Sequence, residues 1–433
     1  MDTRILIVGT VPYNTATTAR AFEAYFHGWD RDCLAQIFSN TKKPVKGHCG
    51  KLYQITDKRM LQRFLGKKVQ LERTFVYSEL EDAWADRDRE VGKGLYNRLY
   101  EIGSRKNALI YLARGLLWQK RLWCSKELNQ WLDDFAPECV FLSFSDDYFI
   151  PQIALYVAQR YNIPIVSSIG DDYYFNYKFS LSPFYHLYKL TYRSLIRKVF
   201  AHGGSAIYIS DKIRDKYNGE FGLKGQTVYL TSEQTRRPFS PIPCKAPRIS
   251  YFGNIRQGRN ESLNAIATAL GKISEELKLY VYSGQTDEKA ISVFQGNPNL
   301  EFCGSIPYSQ VVEKTRESDV LVIVEGFKPK DVNNTRYSLS TKAADSLASG
   351  AQILVYGSGE CGVIEYMQST DSAMVCTDPQ KLEQSIRTLL TDRELQRHYY
   401  ENAIKITNQN HNLDSSTAVF RNVVKEAVEN YVG

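Results

Sequence analysis

The chain has 433 residues, 43% of them hydrophobic and 24% charged, with a formal net charge of +7. That length exceeds one compact core and sets two domains as the expectation, while the composition excludes a disordered chain. The positive charge suits an anionic partner (nucleic acid, a membrane surface or a phosphorylated ligand) without choosing among them.

Eight cysteines are scattered with no CxxC pair and no His at zinc spacing. This disfavours a disulfide framework and a structural metal, and suggests a reducing cytosol. MDTRILIVGT runs straight into a strand pattern, so no signal segment is expected. The longest apolar runs, such as VLVIV at 320–324, fall far short of the ~20 residues of a membrane span.

RILIVGT reads as the first strand and ends at Gly9; after a loop, TARAFEAYF reads as a helix. CLAQIFS (33–39) is the next strand candidate. Residues 42–73 are basic, with ten Lys or Arg against Asp57 and Glu72. Residues 95–133 read as mostly helical. ECVFLSFS (138–145) and IPIVSSIG (163–170) are short strands, each running into an acidic pair, Asp146-Asp147 and Asp171-Asp172. SAIYIS (205–210) and a helix from Asp211 to near Gly219 follow. Strands alternating with helices imply a parallel, doubly wound sheet.

RRPFSPIPCKAPR (236–248) holds four prolines and no periodicity, and reads as the interdomain linker. The alternation then restarts with RISYFGN, a helix from about Ser262, LKLYVYS, EFCGSI, DVLVIVEG and AQILVYG. The expected layout is an N-terminal domain over 1–236, a linker over 237–248 and a second doubly wound domain over 249–412. A C-terminal helix over 413–433 would pack back on the first domain.

Ligands of open parallel sheets bind at the carboxyl ends of the strands. Three clusters of the second domain stand there. In SYFGNIRQGRNESL, Gly253 lets the backbone turn, and Arg256 and Arg259 project from the loop. Their planar forks suit phosphate, although two solvated arginines would look the same. In RYSLSTKAADSLASG a helix starts near Ser340. Its free N–H groups and dipole favour an anion, Ser340 and Thr341 add hydroxyls, and Lys342 adds charge. The plain alternative is that Ser340 only caps the helix. Asp345, one turn on, suits ribose hydroxyls or is a solvated surface carboxylate. Together the three suggest a nucleoside-diphosphate pocket. GxxxxGK[ST] is absent and GxGxxG does not follow the first strand, which argues against a P-loop enzyme and weakens a dinucleotide site.

With these blocks the chain resembles the GT-B glycosyltransferases, specifically the glycosyltransferase family 4 group and its variants with a Ser/Thr-x-Lys donor motif. SYFGNIRQGRNESL, DVLVIVEG with LSTKAADSLASGAQILVYG, and SAIYISDKIRDKYNGEFG carry the resemblance, which is most specific over 249–376. It implies two Rossmann-like domains facing across a cleft, the N-terminal one binding acceptor and the C-terminal one binding donor. It implies that Arg256, Arg259 and Lys342 hold the donor diphosphate with Ser340 and Thr341 assisting. Asp345 falls where the family has a ribose-binding Glu. The family's other donor glutamate would fall at Tyr337, and Glu325 stands nearest as its substitute. A retaining, metal-independent mechanism is what the resemblance implies.

The first domain departs from the family. Many members have a His where this chain reads Gly170-Asp171-Asp172. Asp171 and Asp172 are candidates to orient an acceptor hydroxyl or act as base, against the turn-forming role Asp often has; Asp146-Asp147 is the competing pair. Thr10 and Asn14, in the loop after the first strand, are acceptor-side candidates by position alone.

The expected activity is transfer of a sugar from a nucleoside-diphosphate sugar to a hydroxyl of a glycan or lipid-linked acceptor, in bacterial polysaccharide or glycolipid synthesis. No cofactor beyond the sugar nucleotide and no metal is expected. The rivals are an inactive partner subunit of the same fold and a sugar-nucleotide epimerase or hydrolase. YHLYKLTYRSLIRKVF (185–200) and the basic 42–73 stretch suggest contact with anionic lipid, hence a cytoplasmic protein peripheral to the inner membrane face. The alternative is an amphipathic core helix with a solvated basic side. No helix-turn-helix or RNA-binding pattern is evident, so nucleic acid is not an expected partner.

Overall fold

A computed structural model describes residues 2–13, 19–44, 48–76, 107–177 and 179–432. The chain divides into two compact units, Met1–Val228 with Thr417–Gly433, and Tyr229–Ser416. Asn14 and the stretch 95–106 lie outside the described residues.

The first unit is built on strands β1 (Ile5–Gly9), β2 (Leu34–Phe38), β3 (Lys51–Ile55), β4 (Glu72–Val76), β5 (Cys139–Ser143), β6 (Ile165–Ile169), β7 (Gly204–Tyr208) and β8 (Gln226–Thr227). Their order in the sheet is β4-β3-β2-β1-β5-β6-β7-β8. All neighbours are parallel except β4, which runs antiparallel on β3. β1 and β2 are buried at every position, as strands covered on both faces must be. The basic 42–73 stretch therefore contains more than surface charge. It holds β3, the start of β4 and the helix Asp57–Phe64, capped by Thr56. Its periodicity is short and its lysines hide it.

The last helix, Leu413–Glu429, enters this unit from Thr417 on. Phe420 is fully buried against Phe26 (ring centroids 5.0 Å apart), Tyr25 (5.4 Å) and Phe141 (5.6 Å). Burying such a ring contributes about 1.5–3 kcal/mol, so this one residue is a sizeable anchor for the helix.

The second unit holds β9 (Ile249–Phe252), β10 (Leu279–Tyr282), β11 (Leu300–Gly304), β12 (Val320–Val324), β13 (Gln352–Tyr356) and β14 (Met374–Cys376), in the order β11-β10-β9-β12-β13-β14, all parallel. Residues 237–248 pack onto this unit. The Arg237 N–H donates to the Ser349 carbonyl at 3.0 Å, and Ile242 belongs to the unit's core. Two boundaries differ from the sequence pattern. The helix after β9 is Arg259–Ile273, so it begins at Arg259 rather than near Ser262, and a short helix, Pro329–Thr335, occupies part of the loop expected before Ser340.

In each sheet the chain starts in the middle and winds both ways. The order reverses between β1 and β5 in the first unit and between β9 and β12 in the second. These are the two topological switch points, where open α/β sheets leave a crevice beyond the carboxyl ends of the strands.

Candidate functional site

The second switch point gathers three of the charged residues that the sequence singled out, Arg259, Glu325 and Lys342. β9 ends at Phe252, and Gly253 follows with φ +138°. A Cβ at this position would sit 2.2 Å from Lys342 Cε and 2.3 Å from Nζ, so the glycine leaves the space that the lysine occupies. Lys342 is the second residue of the helix Thr341–Ser349, whose N-cap Ser340 accepts a hydrogen bond from the Lys342 N–H at 3.4 Å. Gly350, at φ +83°, ends the helix in a left-handed cap.

Lys342 Nζ donates to the Tyr251 hydroxyl at 2.9 Å and lies 4.5 Å from that ring's centroid. The Tyr251 hydroxyl in turn donates to the Asn254 carbonyl at 2.6 Å. Burial, and then the nearby Arg259 guanidinium, pull the Lys342 amine down from 10.5 to about 7; Glu325 opposes the fall.

Arg259 opens its helix and grips Glu325 with both arms of its fork, Nη2 to Oε1 at 2.8 Å and Nε to Oε2 at 3.0 Å. Glu325 stands just past β12 and is 3% exposed. Burial pushes its carboxyl up, and Arg259 and Lys342 pull it back. The Ser262 hydroxyl holds the Glu325 carbonyl at 2.7 Å, fixing the strand end that carries the carboxylate. Two basic side chains thus share one carboxylate at the carboxyl edge of the sheet. With Lys342 protonated the cluster has a surplus positive charge at a helix N-terminus, an arrangement that favours a bound anion.

The remaining donor-side candidates are less involved. Thr341 and Arg256 are exposed, and the Arg256 N–H is taken by the Asn254 side chain at 2.8 Å. Asp345 is half-buried and its Oδ1 accepts from the Ser232 hydroxyl at 2.7 Å. Tyr251 is not legible in the sequence as a site residue. Its alternation within β9 reads as core, and only the lysine approaching from 91 residues away reveals its hydroxyl as a partner.

The first switch point is polar and ringed by tyrosines. Thr10 Oγ1 and Ser145 Oγ are 3.0 Å apart, joining the loops after β1 and β5. Asp146 is exposed and accepts from the Tyr111 hydroxyl at 3.2 Å; its carbonyl accepts from Tyr188 at 2.7 Å. Tyr111 and Tyr188 are stacked with centroids 5.1 Å apart. Asp147 points the other way, into a buried ion pair with Arg114, which also binds Asp57 at 2.8 Å. The two members of this acidic pair therefore have different fates, one exposed at the strand ends and one structural.

Asp171 is exposed just past β6. Asp172 is committed to its own turn. Its Oδ1 accepts from the Phe175 N–H at 2.8 Å, the Tyr174 N–H at 3.1 Å and the Tyr217 hydroxyl at 3.0 Å. Burial pushes this carboxyl up, against those three donors. A carboxylate oxygen so occupied is a turn-former by geometry.

No family model matches the chain, and no curated protein matches it. Solved structures do. The structure of Anabaena Alr3699/HepE in complex with UDP and glucose aligns with a TM-score of 0.60 at 10% identity, covering 98% of this chain and 99% of that one. A glycosyltransferase from Rickettsia africae ESF-5 aligns at 0.52 and 11% identity, covering 99% of both chains. WaaG, a glycosyltransferase involved in lipopolysaccharide biosynthesis, aligns at 0.52 and 11%, again covering 99% of both. These likenesses show the fold: two doubly wound sheets in the GT-B arrangement of strands and helices.

Proposed function

We propose that the protein is a glycosyltransferase that moves a sugar from a nucleoside-diphosphate sugar to a hydroxyl acceptor. The observation that carries this is the Lys342–Tyr251–Arg259–Glu325 cluster at the second switch point. A diphosphate brings the negative charge that the cluster's two cations and one carboxylate leave unbalanced. In the reaction the bond from the anomeric carbon to the β-phosphate oxygen breaks, and its electron pair stays on the phosphate. The acceptor oxygen bonds to the same carbon, and a base takes the acceptor proton.

Lys342, Arg259 and the N-terminus of the helix Thr341–Ser349 stabilise the charge that grows on the leaving diphosphate. Ser340 and Thr341 offer hydroxyls to the same phosphates, and Asp345, held by Ser232, is assigned to the ribose. Protein cations do the neutralising, so no metal is assigned to the reaction. On the first unit Asp146 is our choice for orienting the acceptor hydroxyl and taking its proton, because Asp172 is committed to its turn. Thr10 and Ser145 would complete that subsite.

WaaG and HepE support a nucleotide-sugar enzyme by fold. WaaG's role in lipopolysaccharide biosynthesis motivates a glycan or glycolipid acceptor here. A second reading, a catalytically inactive partner subunit, rests on Tyr337 at the position where the family places a donor glutamate. One experiment separates them. A thermal-shift screen against nucleoside diphosphates and their sugars is followed by a nucleotide-release assay on any hit, with and without Lys342→Ala. Release that the substitution abolishes supports the enzyme. Absence of both binding and release overturns it in favour of the inactive subunit.

A further inference from the structure

The exposed large apolar side chains are unevenly distributed. In the second unit Tyr308 is exposed, whereas most of the others lie between Phe64 and Leu190 of the first. Phe179 is 92% exposed and Leu181 89%, both in the loop leading into the helix Pro183–His202. Phe184 is exposed in that helix's first turn.

The helix is apolar along its buried face and over the first half of its outer face, where Ser194, Arg197 and Lys198 follow. Tyr188, Tyr192, Leu195, Ile196 and Val199 form the buried stripe that docks it on its unit. Leu187, Leu190 and Lys198 stand at helical spacing on the outer face, and all are exposed. A helix of a water-facing surface carries polar residues on that side. The helix Ala108–Leu117 packs beside it, joined by the Tyr111–Tyr188 stack, and exposes Leu109 and Leu116, two turns apart on one face. An apolar surface spread over two packed helices and a loop is more than the scattered exposure of an ordinary monomer.

Charge points to the occupant. Residues 173–202 contain five Lys or Arg and no Asp or Glu, and residues 107–126 contain four and none. Not all of this charge is free to act. Arg193 and Arg197 lie over the Tyr174 ring at 4.4 and 5.4 Å, and Arg114 is spent on Asp57 and Asp147. Lys198 on the outer face and exposed Arg121 remain toward solvent. Apolar tips that insert, on two segments that carry no carboxylate of their own, suit the headgroup–acyl boundary of an anionic bilayer.

We propose that the loop around Phe179 and Leu181, with the outer faces of the helices Pro183–His202 and Ala108–Leu117, docks on an anionic lipid bilayer, Phe179 and Leu181 inserting and Lys198 meeting headgroup phosphate. The same two helices present Tyr111 and Tyr188 inward to Asp146, so the docking face lies on the outer side of the elements that hold the first switch point. The proposal stands on exposure and charge and does not depend on sugar transfer.

The test is co-sedimentation of the full chain with phosphatidylcholine vesicles, with and without phosphatidylglycerol as a minor component, at low and physiological salt and without substrate. The wild type is expected to sediment with the anionic vesicles and to release as salt rises. Phe179→Ser with Leu181→Ser is expected to lower the partition coefficient roughly tenfold or more, since each removes a large apolar side chain from insertion. Tyr308→Ser, in the other unit, is expected to leave it unchanged.

No binding to anionic vesicles at low salt overturns the proposal, as does equal binding by the double variant. A dimer in solution that the double variant abolishes, without vesicle binding, would make the face a self-association surface and also overturn it. Should the double variant fold poorly, Phe179→Trp reads the same question. Quenching of its emission by brominated anionic lipid is expected, and no quenching beyond that of the wild type refutes insertion.

Discussion

Lys342→Met separates a functional lysine from a structural one, because the two roles predict opposite signs. Burial and Arg259 lower the amine from 10.5 to about 7. Charging it in the folded protein therefore costs roughly 5 kcal/mol more than in water. The unfolded chain holds this proton until about pH 10.5, whereas the folded chain releases it near 7. Between those values the unfolded state binds more protons, so stability rises with pH across that window. The penalty is fully present below about pH 7, and roughly 4 kcal/mol of it remains at about pH 7.5.

Methionine has similar length and fits beside Gly253 without a charge. It forfeits the bond to Tyr251, worth about 1 kcal/mol, and the attraction to Glu325. A net gain of roughly 1–3 kcal/mol in the ligand-free protein is expected. Differential scanning calorimetry should show it as a rise of a few degrees in the transition of the second unit, at about 2–4 °C per kcal/mol. The same variant should lose nucleoside-diphosphate affinity by roughly 10–150-fold, the worth of one charge-assisted hydrogen bond. In the wild type, affinity should fall as pH rises from about 7 to about 9, because the protonated amine is the form that binds. A variant that is less stable yet binds nucleotide as tightly as the wild type would refute this account, and Lys342 would be a core lysine.

Three further outcomes are expected. Gly253→Ala sets a methyl 2.2–2.3 Å from the Lys342 tail at a φ of +138°, and should cost about 1–3 kcal/mol in urea unfolding and displace the amine, lowering diphosphate affinity together with stability. Asp345→Ala should weaken binding of a ribonucleoside diphosphate roughly tenfold and leave its 2′,3′-dideoxy analogue unchanged in calorimetric titration; an equal loss on both would remove Asp345 from the ribose. Asp146→Asn should lower turnover by roughly 10²–10⁴ at unchanged donor affinity, whereas Asp172→Asn, which keeps an accepting oxygen for its turn, should cost about 1 kcal/mol or less of stability and little turnover. Reversed results would return the catalytic assignment to the Asp171–Asp172 loop.

What local interactions control is legible in the sequence alone. Apolar runs closed by glycine mark β1 and β12, Ser340 before an apolar-periodic stretch marks a helix start, and Gly350 marks its end, because caps and strand burial depend on neighbours in the chain. These suffice for two doubly wound sheets, and for the proximity of Gly253 and Lys342 once the strands are paired. Tertiary structure alone decides which side chains meet. Arg259 finds Glu325 across 66 residues, and Lys342 finds Tyr251 across 91. Asp146 and Asp147 are adjacent and identical in sequence, yet one faces solvent and the other is buried on Arg114. Asp172 reads in the sequence as a cleft carboxylate or a turn-former, and Tyr217, 45 residues on, joins the two local N–H donors that commit it to the turn. The physical reason is that a charge's partners and its ionisation depend on burial, and burial is set by segments distant in the chain.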